Sequence, residues 1–260
     1  MNRFRLVIAY DGTGYSGWQA QPGKPTVQGT VESALARLTG ETPRVHASGR
    51  TDTGVHAAGQ VAHFDLVRGG DAAHPRRKPF SPKEIAHALN ALLPADIRIL
   101  RCARAAADFH ARFSAKEKEY RYRIWNAPVL PPDRRFTFAH VPKPPLDLAA
   151  MRRAAKMLVG THDFAAFSAN PHRETNGTVR TLKKLTVLRE GNAIEIRAVG
   201  EGFLYKMVRS LAGHLIRVGK GAVAAEETAA ILAGKMRTAR VETAPARGLT
   251  LWRVTYPRAP

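Results

Sequence analysis

One order of hydrophobic periodicities, occurring twice, limits the folds open to this chain. Residues 3–10 set Arg3 and Arg5 among apolar neighbours and read as a strand, and residues 26–38 read as a helix that Thr26 caps and Gly40 ends. Short strands follow at 43–47 and 60–66. A second helix is expected over 82–93, where Pro82 suits the first turn and Ile85, Ala88, Leu89 and Leu92 share one face. Residues 97–104 make another strand. This is β-α-β-β-α-β, the ferredoxin-like order. It recurs as strand 119–125, helix 146–159, strands 180–189 and 193–199, helix 203–218 and strand 249–256. The halves share little sequence, so the repetition is one of element order. The expected fold class is α+β, two ferredoxin-like halves with a mainly antiparallel sheet, divided as 1–108 and 109–260.

Two stretches break the pattern. Arg68 to Pro79 is rich in Gly, Pro and basic residues without a period, and reads as an exposed loop. A solvated insertion is the commoner outcome for such a stretch, and a basic arm that touches a partner is the alternative. Pro128 to Pro145 carries six prolines and reads as a meandering connection.

Charge narrows the partner. Lys and Arg number 41 against 21 Asp and Glu, a formal net charge of +20, which favours a polyanion. Nucleic acid is the expected one, because each cation placed on a phosphate releases condensed counterions. A membrane is not expected: the apolar run Leu6 to Tyr10 is far too short for a span and stops at Asp11. Cys102, the single cysteine, excludes an intrachain disulfide and a zinc site built on several thiolates, and the expected location is cytoplasmic.

Some motifs resemble chemistry that their context denies. Gly12-Thr13-Gly14-Tyr15-Ser16-Gly17 matches a dinucleotide fingerprint after a strand, but Pro22, Gly23 and Pro25 intervene before helical periodicity begins. A glycine-rich turn is the better reading. Gly213 to Lys220 has the wrong spacing for a phosphate loop, and Gly221 stands where Ser or Thr is required. His46, His56 and His63 fit no i,i+4 metal pair, so a metal is not expected. Cys102 reads as a small buried hydrophobe.

The segment 47–65 wedges polar and glycine residues between two short apolar strands. Arg50 and Asp52 lie two apart, so an extended stretch points them the same way, while Gly49 and Gly54 permit close approach of another backbone. From the residues alone this is either a candidate acid–base site or a surface ion pair on a loop.

The stretch Gly49-Arg50-Thr51-Asp52-x-Gly54-Val55-His56-Ala57 resembles the catalytic motif of the tRNA pseudouridine synthase A family. Further similar segments occur in the family's order: Tyr10 to Gln19, Thr26 to Glu32, Asp108 to Ala115, Tyr120-Arg121-Tyr122, Phe203 to Arg209, and Gly248-Leu249. Departures are Ser48 and Thr53 where alanine is common, and Ser210 where asparagine is common. The resemblance implies a pseudouridine synthase fold with an active-site cleft between the halves, acting without a cofactor on uridines 38, 39 and 40 of the tRNA anticodon stem-loop, in a homodimer. It implies that Asp52 is the catalytic aspartate and that Tyr120, Arg50 and Arg209 bind substrate. A carboxylate in a water-excluding pocket needs an opposing cation to stay charged, and the resemblance assigns Arg209 to that pairing. Arg209 also reads as one member of a solvated basic stripe with Lys206, Arg217 and Lys220, opposite Leu204, Val208, Leu211 and Leu215. Tyr120 would stack on a flipped base, and Tyr122 reads as a strand tyrosine packed on the sheet. The competing reading is a non-catalytic basic RNA-binding protein. A lone acid amid the RNA face and an aromatic content of 7 % count against it.

Overall fold

The computed structural model describes residues 2–67, 79–171 and 177–257. The expected loop from Arg68 lies outside them except for Pro79. The chain divides into two compact units, Met1–Lys116 with Leu251–Pro260, and Glu117–Thr250.

The first unit runs β1 (Asn2–Tyr10), α1 (Val27–Thr39), β2 (His46–Ala47), β3 (His56–Leu66), α2 (Pro82–Leu92) and β4 (Ile97–Arg104). Its strands lie in the order β4-β1-β3, antiparallel, with β2 also pairing β3. Along β1 the residues Phe4, Leu6, Ile8 and Tyr10 are buried and those between them half-buried, the period of two that a sheet covered on one face demands. Val31 and Leu35 of α1 and Ile85 and Leu89 of α2 complete the core.

Local chemistry set the helix ends where they were expected. Thr26 accepts from Gly29 N, and Gly40 closes α1 at φ 69°. Ser81 and Glu84 form a capping box on either side of Pro82 at the start of α2. β3 begins four residues earlier than expected. His56-Ala57-Ala58-Gly59 lacks the branched residues that signal a strand, yet a small side chain is what fits: a Cβ on Gly59 would stand 2.8 Å from the Trp252 carbonyl oxygen. β2 is shorter than expected because Pro43 has no N–H and the Val45 N–H is taken by Glu32.

The second unit contains β5 (Glu117–Trp125), β6 (Ala139–His140), α3 (Leu148–Met157), β7 (Gly160–Asp163), β8 (Val179–Glu190), β9 (Ala193–Gly200), α4 (Met207–Gly219) and α5 (Glu227–Ala233). Its antiparallel order is β5-β9-β8-β7, and β6 pairs β5 in parallel. β10 (Leu249–Thr255) then returns the chain to the first unit. The expected α+β class and mainly antiparallel pairing are what is found. β6, β7 and α5 were not anticipated: the strands have two and four residues, and α5 only seven, too few for a period to show.

α4 starts at Met207 rather than 203, because Lys206 sits in the left-handed region at φ 58°. Nor is α4 a helix with a solvated basic stripe. Ser210, Ala212, Gly213 and His214 are buried along with the leucines, which leaves Arg209 and Arg217 as its half-buried members. Small residues let neighbouring chain cover faces that charge spacing alone assigns to water.

Candidate active site

The loop carrying Asp52 is backbone laid on glycine. A Cβ on Gly12 would stand 2.1 Å from the Val55 carbonyl oxygen, and one on Gly17, at φ +90°, 2.7 Å from that of Thr51. The glycine-rich turn after β1 therefore beds residues 51–55. Trp18 N donates to Thr51 O at 3.0 Å, and Gln28 N of α1 donates to Trp18 O at 2.9 Å, tying loop, turn and helix together.

Buried side chains fix the loop from below. Thr51 is buried and its Oγ1 lies 2.8 Å from Tyr10 Oη, while Arg50 before it is exposed and Asp52 after it half-buried, the alternation of an extended stretch. Burial pushes the Tyr10 phenol up to about 12 despite hydrogen bonds with Thr51 and Gln60, so this hydroxyl is neutral at physiological pH. Ser48 Oγ donates to Gln60 Oε1 at 2.6 Å, and Gln60 Nε2 donates to Gly49 O at 2.8 Å. After Asp52 the chain turns, with Val55 N donating to Asp52 O at 3.1 Å and Gly54 at φ +74°. The turn needs Gly54 for its positive φ, whereas Gly12 and Gly17 supply the close approach. His56 Nδ1 lies 3.1 Å from both Gly12 N and Asp11 Oδ1. Burial opposes ionisation of Asp11, but bonds from the Thr13 hydroxyl and N–H, together with His56, hold its carboxyl below the usual range.

Of the three histidines grouped by sequence, His56 separates from the other two. His56 belongs to the bed of the Asp52 loop. His46 and His63 stack at 5.1 Å, and His110 meets His63 at 4.7 Å. His63 Nδ1 accepts the Ala111 N–H, and burial, reinforced by the charges of His110, Arg3 and His46, brings its pKa down to about 4. Cys102 is partly covered on β4, and burial raises its thiol to about 12.

Tyr120 and Arg209 lie in the second unit. Tyr120 is buried on β5 opposite Ala198 of β9, its ring edge-to-face with Phe203 at 5.2 Å. Gly200 clears the slot for Phe203, since a Cβ there would stand 3.2 Å from the ring tip. Tyr122 is fully buried and donates to Pro245 O at 2.9 Å, a packing residue as its strand reading suggested. Arg209, in the first turn of α4, donates through Nε to Ala244 O at 2.8 Å, and its own carbonyl accepts Ala244 N at 3.0 Å. Gln60 and Ala244 were not anticipated, and Tyr10 and Phe203 stood within family-like segments without a role, because the partners of these residues lie more than ten positions away. The cue within reach was Tyr10, a polar-tipped residue ending an apolar strand.

No helix among the described residues is long and apolar enough to cross a membrane. The family model for tRNA pseudouridine synthase matches residues 6–114 and 154–257. The tRNA pseudouridine synthase A of Halalkalibacterium halodurans is 47 % identical over 250 residues, covering 96 % of this chain and 90 % of that protein. That of Geobacillus kaustophilus is 46 % identical, covering 98 % of this chain and 94 % of that protein. The Rhodospirillum rubrum protein of the same name is 44 % identical, with coverages of 99 % and 88 %. Similarity of this extent places the chain in the tRNA pseudouridine synthase family.

Proposed function

We propose that the protein is an isomerase that converts uridine to pseudouridine in tRNA, with Asp52 as its catalytic group. The observation that carries this reading is a half-buried aspartate on a loop fixed by buried hydrogen bonds, in a chain of net charge +20 with full-length relatives named for the activity. In the reaction the N1–C1′ bond breaks, the base rotates, C5 joins C1′ and gives up its hydrogen as a proton, and N1 takes up a proton, so no redox change is needed. A carboxylate beside C1′ and C6 serves as nucleophile or anionic stabiliser.

Tyr120 supplies a ring on which the flipped base stacks, and its edge-to-face contact with Phe203 favours one fixed ring orientation. Arg50 is exposed and suits a phosphate of the extruded nucleotide. Arg209 is a substrate-binding cation, in keeping with the family resemblance. The sites are uridines 38, 39 and 40 of the anticodon stem-loop, and the enzyme works in the cytoplasm as a homodimer, in keeping with the family resemblance. Mapping pseudouridine in tRNA incubated with the purified protein tests the reading. Modification at those positions is expected, and none at all with folded protein would overturn it.

A further inference from the structure

Arg209 is held by a strap of chain, residues 242–244, laid across α4. The strap touches the helix backbone: a Cβ on Gly213 would stand 2.1 Å from the Glu242 carbonyl oxygen. It is fastened at each of its residues. Glu242 pairs with Arg217, Thr243 accepts from Arg237, and Ala244 exchanges two main-chain-directed bonds with Arg209.

Arg217 and Arg209 each join α4 to the strap, whereas Arg237 reaches the strap, α4 and Ser168 together. Its Nη2 donates to Thr243 Oγ1 at 2.8 Å, and its Nη1 donates to Ser210 Oγ at 2.9 Å and to the carbonyl of buried Ser168 at 3.3 Å. Ser210 follows Arg209 in the same helical turn, and Thr243 precedes Ala244 in the strap. The two amino groups of one planar guanidinium thus bridge the residue after Arg209 to the residue before Arg209's own partner, and a fork of fixed geometry sets that spacing where a flexible ammonium would not.

We infer that Arg237 is a positioning residue for the reaction: it clamps strap 242–244 to the first turn of α4 and so fixes the direction of the Arg209 guanidinium. This rests on the reading of Arg209 as a substrate-binding residue. A guanidinium misdirected by about 1 Å costs on the order of 100-fold in turnover, while binding of the bulk of a tRNA through other cations is left in place.

The test pairs kinetics with a signal from Arg209 itself. In Arg237→Gln, kcat should fall roughly 10- to 100-fold with KM for tRNA within about threefold. The 15N resonance of the Arg209 Nε–H, assigned by its loss in Arg209→Lys, should shift and exchange faster with solvent. Arg237→Lys should restore only part of both. If Arg237→Gln fails to fold, Thr243→Val removes one acceptor and is expected to move the same two readouts less. An unmoved Arg209 resonance in a folded variant overturns the inference, as does a kcat per folded molecule equal to that of the parent. A moved resonance beside full turnover in Arg209→Gln would leave the clamp standing and remove Arg209 from substrate binding.

Discussion

The Asp52 loop and the Arg209 strap use the same device with different fastenings. In each, a glycine lies where a Cβ would stand 2.1 Å from a carbonyl oxygen, Gly12 against Val55 and Gly213 against Glu242. The loop is then pinned by uncharged buried groups, Tyr10, Thr51, Ser48 and Gln60, whereas the strap is pinned by guanidinium groups, Arg237 and Arg217. Neutral hydrogen bonds beneath a carboxylate fix its place without adding a competing charge. Around an arginine, cations serve as well, provided each has acceptors of its own.

The largest expected effect comes from filling the glycines. Gly213→Ala lies inside a helix, where alanine ordinarily gains about 1 kcal/mol, so destabilisation there reverses the usual sign. Both Gly12→Ala and Gly213→Ala should lose roughly 2–4 kcal/mol in urea unfolding through overpacking against backbone. A stabilised Gly213→Ala would break the parallel between the two regions.

Legibility differed between them for a physical reason. Helix ends at Thr26, Gly40 and Pro82 were readable because caps act within a few residues of themselves, and β4 kept its expected span although its alternation breaks at Leu100, where its pairing with β1 shifts register. The start of α4 was misplaced by the left-handed Lys206, and α5 and β7 were too short to declare a period. Asp52 and Arg50 stood out as a pair, though from the residues alone they equally described a surface ion pair. The partners that fix the two regions were invisible: in the Asp52 loop Tyr10 meets Thr51 across 41 positions, and at the Arg209 strap Arg237 meets Ser168 across 69. Contacts of that range leave no local pattern.

A middle-sized effect should separate the neutral fastenings from the charged ones. Gln60→Leu strands the Ser48 hydroxyl and the Gly49 carbonyl, and should cost about 1–3 kcal/mol in urea unfolding, with little dependence on salt. A loss that vanishes in high salt would mean that charge, not neutral hydrogen bonding, holds this loop.

A smaller effect follows from the histidine cluster of the first unit. His63 and His110 have folded-state pKa values below the ordinary 6.5, His63 at about 4, with burial the first cause in each. The unfolded chain therefore binds more protons between these values. The stability these rings contribute is complete above pH 6.5 and is lost as pH falls toward 4. The urea midpoint should decline through that window, and less steeply in His63→Asn. Equal slopes for parent and variant would remove His63 as the cause.

Tyr120→Phe should give the smallest change in binding, since the ring and its contact with Phe203 remain. Affinity for tRNA should stay within about twofold, and a slowed turnover would assign the lost hydroxyl to proton transfer.

The central claim concerns Asp52, and tritium release from C5-labelled uridine in tRNA measures it most directly, run on Asp52→Ala alongside Asp52→Asn because asparagine can deamidate back. Both variants should fold, bind tRNA at least as well as the parent, since a negative charge is lost from a chain of net charge +20, and release no tritium above background. Substantial release by folded Asp52→Ala would contradict that claim.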